Sequence, residues 1–304
     1  MRFALVLISC VVSSSQATEN RAFLQEIAPG IYLHRGAHAD LDDPGRGDSA
    51  NLGVIIGGRC IAVVDSGGSV ATGALLRKAI ASLSEKPICY VINTHIHFDH
   101  VLGNAAFADS GAQFVGHHNL ADALAANREF FVANFANELG VETGVAALPP
   151  PTISVESQIT LDIGDRQLLL HAIATAHSDS DLTVLDMQTS TLFTGDLLFR
   201  ERLPVLDGSL LGWQKWLIGV VKESYEIVVP GHGPVDRAWP EGAEAQKRYL
   251  TALATDTQAS ISAGEFVQDA ADHIAAKELA GWVLTERAHS RNVSRAFREL
   301  EWDQ

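Results

Sequence analysis

The stretch Thr94-His95-Ile96-His97-Phe98-Asp99-His100 carries the most information about the fold and function of this chain. It places four ligand-type side chains within six positions: His95, His97, Asp99 and His100. An apolar segment typical of a buried strand precedes it, and burying so many polar groups is costly unless something pairs with them. Imidazoles at i and i+2 on an extended loop point to the same side and can bind one cation, while Asp99 and His100 can face a second. The stretch therefore favours a metal site over a solvated surface loop.

Three more ligand-type residues follow predicted strands in the second half of the chain. They are His177 in Ala176-His177-Ser178-Asp179, Asp196 in Thr194-Gly195-Asp196 and His232 in Pro230-Gly231-His232-Gly233. Functional sites in α/β and layered folds collect at strand ends. We therefore expect these side chains to join the first group in one metal centre.

The hydrophobic pattern predicts short strands interspersed with amphipathic helices, which is an α/β pattern. Helices are predicted around residues 75–83, after Asn119 as the capping residue, and around 213–221. The run Leu148-Pro149-Pro150-Pro151 predicts a connection between two halves. The predicted strands are 30–36, 51–58, 60–65, 88–95, 113–115, 158–163, 167–173, 182–187, 191–198 and 225–229.

The N-terminus is typical of an exported protein. Residues 1–17 combine a basic start at Arg2, an apolar run, and small residues at Ser15 and Ala17, which predicts a signal peptide. We expect residues 18–240 to form the α/β domain and 241–304 to form a helical extension packed on it, with Trp282, Phe297, Leu300 and Trp302 at the contact. The mature protein is expected in the periplasm or outside the cell, without a membrane anchor.

Composition narrows the range of partners. The 304 residues include 22 Lys and Arg against 37 Asp and Glu, for a formal charge of −15. Nucleic acids and anionic membrane surfaces would repel such a chain, so we expect a small-molecule substrate and no nucleic-acid partner.

Several polar or reactive residues have a plain structural interpretation. If segments 60–65 and 88–95 are neighbouring parallel strands, Cys60 and Cys89 lie side by side and could join, but we interpret them as two separate buried side chains. Arg200, Arg202 and Asp207 follow Asp196 and could flank the substrate mouth, but we favour their interpretation as surface charges. The pair His117-His118 could line the pocket, but we interpret it as solvated loop residues.

Taken together, these motifs resemble the metallo-β-lactamase-fold hydrolase superfamily, from about residue 28 to residue 234. The resemblance implies a four-layer αββα sandwich, in which two mixed sheets pack together, helices cover the outside, and the site lies along one edge. It also implies a first zinc bound by His95, His97 and His177, a second bound by Asp99, His100 and His232, and Asp196 bridging both. Asp65 matches a buried acid that orients a ligand, although a turn carboxylate that caps residues 66–68 fits nearly as well.

A narrower resemblance covers most of the mature chain. Segments 59–68, 86–93, 203–208 and 291–302 are similar to the quinoprotein relay system zinc metallohydrolases, exported proteins related to a sulfur-oxidation accessory protein. This resemblance implies a periplasmic zinc hydrolase that serves pyrroloquinoline-quinone dehydrogenase systems. Phe98 departs from the family motif, where proline is common, without removing a ligand.

The expected function is that of an exported dinuclear zinc hydrolase, with two Zn²⁺ per chain or iron or manganese in their place. A metal-bound hydroxide would attack an ester, thioester, lactone or amide-type small molecule. Asp99 and Asp196 are the candidate catalytic residues, and Asp99 could pass a proton to the leaving group.

Three alternatives stay open: a β-lactamase, a mononuclear iron enzyme like the sulfur dioxygenases, and a non-catalytic metal-binding accessory protein. Asp196 occupies a position where the β-lactamases usually carry cysteine, which favours a bimetal arrangement like that of glyoxalase II. No feature of the sequence assigns a substrate or an oligomeric state.

Overall fold

Two β-sheets organise the chain. The computed structural model describes residues 23–140 and 148–302, so the predicted signal peptide lies outside the described residues. Within these ranges, no helix is both long enough and apolar enough to cross a membrane.

The first sheet has seven strands in the order of the sequence. The first four strands pair antiparallel, and each later pair is parallel. The strands are β1 (Gln25–Ala28), β2 (Ile31–His34), β3 (Leu52–Ile56), β4 (Ile61–Val64), β5 (Ile88–Ile92), β6 (Gln113–His117) and β7 (Ile153–Val155).

The second sheet has five strands in the order β12-β11-β10-β9-β8. All its pairs are antiparallel except β11 with β12, which is parallel. The strands are β8 (Gln158–Asp162), β9 (Gln167–Ala172), β10 (Leu182–Asp186), β11 (Thr191–Phe199) and β12 (Ile227–His232).

Helices flank the sheets and continue beyond the last strand. Ser69 and Ser209 cap α1 and α4 with their side chains, each accepting a hydrogen bond from a backbone N–H of the first turn. The helices are α1 (Val70–Leu83), α2 (Phe98–Val101), α3 (Leu120–Asn134), α4 (Leu210–Val220), α5 (Glu244–Ala263), α6 (Val267–Ala270) and α7 (Thr285–Trp302).

The apolar core is divided among layers. Between the sheets, inward-facing residues of both, such as Ile55, Val64, Leu170 and Val184, form one cluster. Outside the first sheet, alternate residues of β3 and β4 pack on α1. Outside the second sheet, β11 and β12 pack on α4, α5 and α7. This layering confirms the predicted four-layer arrangement, with the C-terminal helices on the second sheet.

The predicted strands match the structure except near the proline run. Strand β7 follows that run and still belongs to the first sheet, so the boundary between the sheets lies between Val155 and Gln158 rather than at Leu148–Pro151. The prediction missed two short edge strands, β7 with three residues and β1 with four. Asn119 does precede α3, but its side chain donates to the Asp179 carbonyl instead of capping the helix.

The interpretation of the cysteines as separate side chains was wrong. Strands β4 and β5 are parallel neighbours, and a disulfide joins Cys60 to Cys89 across them. This bond ties together the two strands that end at Asp65 and at the ligand-rich stretch 94–100.

Candidate metal centre

The two sheets bring all seven predicted ligand side chains to one place. His95, His97, Asp99 and His100 lie on the loop after β5 and on α2, and His177 lies on the loop after β9. His232 is the last residue of β12. Asp196 lies within β11 rather than at its end, where the pairing with β12 is irregular around Gly195.

Glycine is required where β11 and β12 approach each other at the site. Gly195 has a φ of 53°, in the region that favours glycine. A side chain on Gly231 would collide with the carboxylate of Asp196. These positions therefore let the backbone of β12 pass directly behind that carboxylate.

The first cluster consists of His95, His97, His177 and Asp196. The Nδ1 atom of His97 lies 3.1 Å from Nε2 of His95 and 2.9 Å from Nε2 of His177. The Oδ2 atom of Asp196 lies 3.8 Å and 3.6 Å from the same two Nε2 atoms. Four potential donor atoms thus converge on one point.

The second cluster consists of Asp99, His100 and His232. The Nε2 atom of His232 is 3.4 Å from Oδ2 of Asp99, and Nε2 of His100 is 3.9 Å from Oδ1 of Asp99. Asp196 reaches this cluster as well, with Oδ1 3.2 Å from His100 and Oδ2 3.3 Å from His232. Its carboxylate therefore lies between the two clusters.

The donor set fits two divalent cations. Asp99, His100 and Asp196 are nearly fully buried. Within the described residues, neither Nε2 of His100 nor Oδ1 of Asp196 has a hydrogen-bond partner of acceptable geometry. An unsatisfied buried polar atom costs about 1–3 kcal/mol, so such atoms need another partner. Imidazole nitrogens and carboxylate oxygens in groups of three or four suit zinc and also suit iron and manganese.

The remaining nitrogen of each imidazole is held by the protein. Nε2 of His97 lies 2.7 Å from Asp207. Nδ1 of His177 lies 2.7 Å from the carbonyl of Val205, and Nδ1 of His232 lies 2.8 Å from the carbonyl of Ser49. Such partners hold the ring's orientation and its tautomer, which leaves the other nitrogen free to bind a cation.

Asp65 supports both clusters. Its Oδ2 accepts hydrogen bonds from Nδ1 of His100 and from Oγ1 of Thr94, each at 2.8 Å, and Oγ1 of Thr94 lies 3.0 Å from Nδ1 of His95. The alternative role in capping residues 66–68 does not fit, because the N–H groups of Ser66 and Gly68 bond to other carbonyls. The orienting role implied by the resemblance agrees with these contacts.

Electrostatics at the centre favour added positive charge. Burial lowers the pKa of His177 to about 3 and lowers that of His95 well below its ordinary value, so both imidazoles stay neutral. Burial acts to lower the pKa of His100 too, but the carboxylates of Asp196, Asp65 and Asp99 outweigh it and raise that pKa. His95 and His177, neutral beside the ionised carboxylate of Asp196, have the protonation states that metal binding requires, and a bound cation would replace the proton that the carboxylates favour on His100.

A cavity of about 820 Å³ opens onto the centre. His97, Asp99, Asp196 and His232 contribute to its lining, so both clusters face it. Much of the rest is apolar or cationic, from Leu41, Ile96, Phe98, Phe130, Phe131, Phe135, Val205, Leu284 and Ala288, and from Arg46, Arg202, Arg287, Arg291 and Arg295.

For two residues of the site, the favoured interpretation as surface charges was wrong, and the alternative that they flank the substrate mouth agrees with the cavity lining. Asp207 contacts His97 and Arg202 lies 3.2 Å from Nδ1 of His232, so neither is a mere surface charge. Arg200 does lie outside the centre, donating to the carbonyls of Pro234 and Val235. His117 is buried rather than solvated, yet neither it nor His118 lines the cavity.

The C-terminal helix α7 holds the loop that carries Val205 and Asp207. Asn292 accepts a hydrogen bond from the N–H of Leu206 at 2.8 Å and donates to the carbonyl of Pro204 at 2.7 Å. Arg291 and Arg295 both donate to Asp207. The extension thereby positions the groups that hold His97 and His177, a role that the predicted packing contacts do not include.

Known proteins share this fold. A family model described as the Metallo-beta-lactamase superfamily matches residues 45–232. A metallo-beta-lactamase from Pontibacter korlensis is similar at 18% identity and a TM-score of 0.61, over 75% of this chain and 98% of that chain. A metallo-beta-lactamase family protein from Thermus thermophilus has 18% identity and a TM-score of 0.67, over 91% of this chain and 95% of that chain.

The sec-alkylsulfatase Pisa1 from Pseudomonas sp. has 16% identity and a TM-score of 0.65, over 91% of this chain and 50% of that chain. Identities this low establish the fold alone. A comparison with curated proteins gave no significant match.

Proposed function

Because the chain belongs to the metallo-β-lactamase superfamily, we propose that it is an exported dinuclear zinc hydrolase of small ester, thioester, lactone or amide substrates. The observation that carries the proposal is the position of Asp196. Its carboxylate lies 3.2–3.8 Å from imidazole nitrogens of both clusters, as a bridging ligand would. A single-ion site would not need a carboxylate shared in this way.

Two bound divalent cations would supply an activated water and polarise the substrate oxygen under attack. The protein's own part is to hold seven donor atoms in place and to leave one side of them open. Asp99 and Asp196 line the cavity, whereas His95, His100 and His177 lie behind them. Asp99 accepts a hydrogen bond from Ser49 at Oδ2, and its position at the cavity suits it to pass a proton to a leaving group.

Export is part of the proposal. Residues 1–17 have the pattern of a signal peptide, and the disulfide between Cys60 and Cys89 is of a kind that persists in oxidising compartments. A role beside quinoprotein dehydrogenases rests on the sequence resemblance of segments 59–68, 86–93, 203–208 and 291–302.

Metal content provides the test. We would purify the mature protein from a metal-supplemented culture and measure bound elements by mass spectrometry, beside an Asp196→Ala variant and an exposed control, Asp122→Ala. We expect about two zinc per wild-type and control chain, and a loss in Asp196→Ala because both ions share that carboxylate. A screen of para-nitrophenyl esters, thioesters and lactams would follow.

Other results would redirect the proposal. One iron per chain would favour oxygen chemistry of the sulfur dioxygenase kind. A metal-replete preparation that binds no cation would contradict the dinuclear centre and favour an accessory role. Equal metal content in wild type and Asp196→Ala would contradict the bridging position.

A further inference from the structure

The C-terminal helix contributes a cationic wall to the substrate cavity. Arg291 and Arg295 lie one turn apart on α7, and both line the cavity together with Arg202 from the loop after β11. The α7 residues lie outside the segment that the family model matches, 45–232. The family model therefore covers Arg202 but not the two arginines of α7.

The wall carries more positive than negative charge. Arg291 and Arg295 both form ion pairs with the carboxylate of Asp207. That carboxylate also contacts Nε2 of His97. Arg202 is largely buried, and the carboxylate within 4.0 Å of it is Asp99, a member of the second cluster. Counting Asp207 against the two arginines of α7 leaves one surplus positive charge. Arg202 adds another once Asp99 and Asp196, the two other inner acids of the lining, are assigned to the cations of the proposed metal centre.

The remaining acids on the lining do not cancel this surplus. Asp40 and Asp42 form ion pairs with Arg287 at distances of 3.9 Å and 2.5 Å, and Asp179 is exposed. Exposed carboxylates are screened by water and interact weakly over distance. The inner wall, close to the metal centre, is thus the part of the cavity that favours an anion.

A different part of the lining is aromatic. Phe98 stacks on Phe135 with ring centroids 4.5 Å apart, and Phe131 packs beside them. Phe130, from the same helix α3, is 53% exposed. A large apolar side chain left in contact with water at a cavity marks a place where an apolar ligand group can bind.

We propose that the substrate is an amphipathic organic anion, with an apolar body that packs on the α3 phenylalanines and a carboxylate-like group that binds Arg202, Arg291 and Arg295. This inference rests on the proposed hydrolase function and names its substrate class. The acidic group does not react. It positions the ester or thioester bond of the same molecule over the metal centre. Guanidinium groups suit this task because they bind oxyanions through paired N–H donors.

The test compares two esters that differ in one charge. Mono-para-nitrophenyl adipate ends in a carboxylate, and para-nitrophenyl hexanoate has the same chain length without it. We expect the zinc-loaded protein to show a kcat/KM about tenfold higher for the adipate, the size expected for one charge-assisted contact. A double Arg291→Met and Arg295→Met variant should lose most of that preference, and a double Arg→Lys variant should retain part of it.

The ratio of the two rates separates substrate binding from damage to the metal centre. Removing the arginines also releases Asp207, which contacts His97, but a disturbed centre would slow both esters alike and leave the ratio unchanged. Arg298→Met is the matched control, because Arg298 is exposed on the same helix and does not line the cavity. An unchanged ratio in the double methionine variant, or an equal loss in Arg298→Met, would overturn the inference.

A binding measurement keeps the inference testable if neither ester is hydrolysed. In that case the hydrolase proposal fails for esters, and calorimetric titration with phenylbutyrate and with neutral phenylbutanol decides the anion site alone. We expect phenylbutyrate to bind about tenfold more tightly, and to lose that advantage in the double methionine variant. Equal affinity for the two probes, or a retained advantage in the variant, would show that the arginines do not recognise the acid.

Discussion

The two halves of the metal centre are supported by different parts of the molecule. In the first cluster, His97 and His177 contact Asp207 and Val205, which lie on a loop that α7 holds through Asn292. In the second cluster, the supporting groups are Asp65 and Ser49, at the end of β4 and just before β3. The second cluster thus depends on the first sheet, and the first cluster depends also on a helix at the far end of the chain.

This difference means that the clusters can be perturbed separately. Strands of a packed sheet are held by many hydrogen bonds and by the core, so their ends move little. A loop held by a few side chains of one helix is a more local arrangement. Variants of α7 should therefore weaken one metal site while leaving the other intact, and variants of Asp65 should weaken both.

The largest effect is expected for Asp65→Asn. Asp65 has a φ of 60°, which asparagine also tolerates, so the backbone is preserved. An amide cannot accept all three hydrogen bonds from Thr94 and His100, because one of its two polar atoms is a donor. Loss of such a supporting contact lowers metal affinity by about 10–100-fold, and we expect both metal ions to bind more weakly.

Competition with a chelator during Zn²⁺ and Co²⁺ titration would measure this loss. Asp122→Asn, on the exposed side of α3, is the matched control and should bind both ions as the wild type does. If Asp65→Asn weakened the binding of only one metal ion, the contacts from Asp65 through Thr94 to His95 would not stabilise metal binding at the first cluster.

The second effect in size is expected for Asn292→Ala. The side chain is buried and bonds to Leu206, Pro204 and Tyr249, so its removal leaves backbone groups unsatisfied. We expect about 2 kcal/mol less stability and about tenfold weaker binding at the first cluster alone. Denaturant unfolding and stepwise Co²⁺ titration would measure the two quantities.

Ser294→Ala serves as the control on the same helix, because Ser294 is exposed and its hydroxyl donates to the carbonyl of Ser290 within α7. If Asn292→Ala weakened the binding of both Co²⁺ ions equally, α7 would support the whole centre rather than one half of it.

A pH effect on stability is expected from Asp181, which lies beside the first cluster. Burial raises the pKa of Asp181 to about 7, and its carboxyl group bonds to the backbone and hydroxyl of Ser178, the residue after His177. The unfolded chain loses that proton near pH 4, so between about pH 4 and 7 the folded protein holds a proton that the unfolded chain lacks. The contribution of Asp181 to stability is therefore full at low pH and falls as the pH rises through this window.

The side chain at position 181 cannot titrate in Asp181→Asn, so the free energy of unfolding of the metal-free variant should not show this decrease. Between about pH 5 and 8, the free energy of unfolding of the wild type should drop by about 2 kcal/mol relative to that of the variant. Asp179→Asn, at an exposed position on the same loop, should follow the wild type. Parallel curves for wild type and Asp181→Asn would mean that Asp181 stays ionised in the folded protein.

The ligand side chains were predictable from the sequence because each lies in a local pattern, and all but Asp196 lie at a strand end or in the loop after a strand. His95 to His100 fall within six positions, and His177, Asp196 and His232 each sit beside glycine or polar turn residues. The hydrophobic alternation likewise predicted most strands. These signals are local, and local signals survive in a single sequence.

The supporting residues were not predictable in this way. Asp207 lies 84 positions before Arg291, and no pattern near either residue marks their contact. Strand β7 is too short, at three residues after a proline run, to show a period. The disulfide depended on the parallel pairing of β4 and β5, and the sequence alone did not decide between that bond and two separate thiols.

The smallest effect is expected for Asp207→Asn, which alters the first cluster's support without removing it. Burial acts to raise the pKa of Asp207, but the hydrogen bond from His97 and the charges of His97 and Arg291 hold it well below its ordinary range, so the wild-type group is ionised. The amide oxygen can still accept the hydrogen from Nε2 of His97, although it makes that imidazole a weaker donor to a cation. We expect less than about tenfold weaker binding at the first cluster and no change at the second, whereas Asp207→Ala should lose more.

The Asp207→Asn variant should also change the substrate preference, which the second cluster's supporting residues should not. Removing the charge of Asp207 leaves two unbalanced arginines on α7 instead of one, so the preference for adipate over hexanoate esters should rise while zinc binding falls. A defect in folding or in the centre as a whole would lower zinc binding and leave the preference unchanged. If the two changes occur in opposite directions, α7 acts on the metal centre and on the substrate through one carboxylate, that of Asp207.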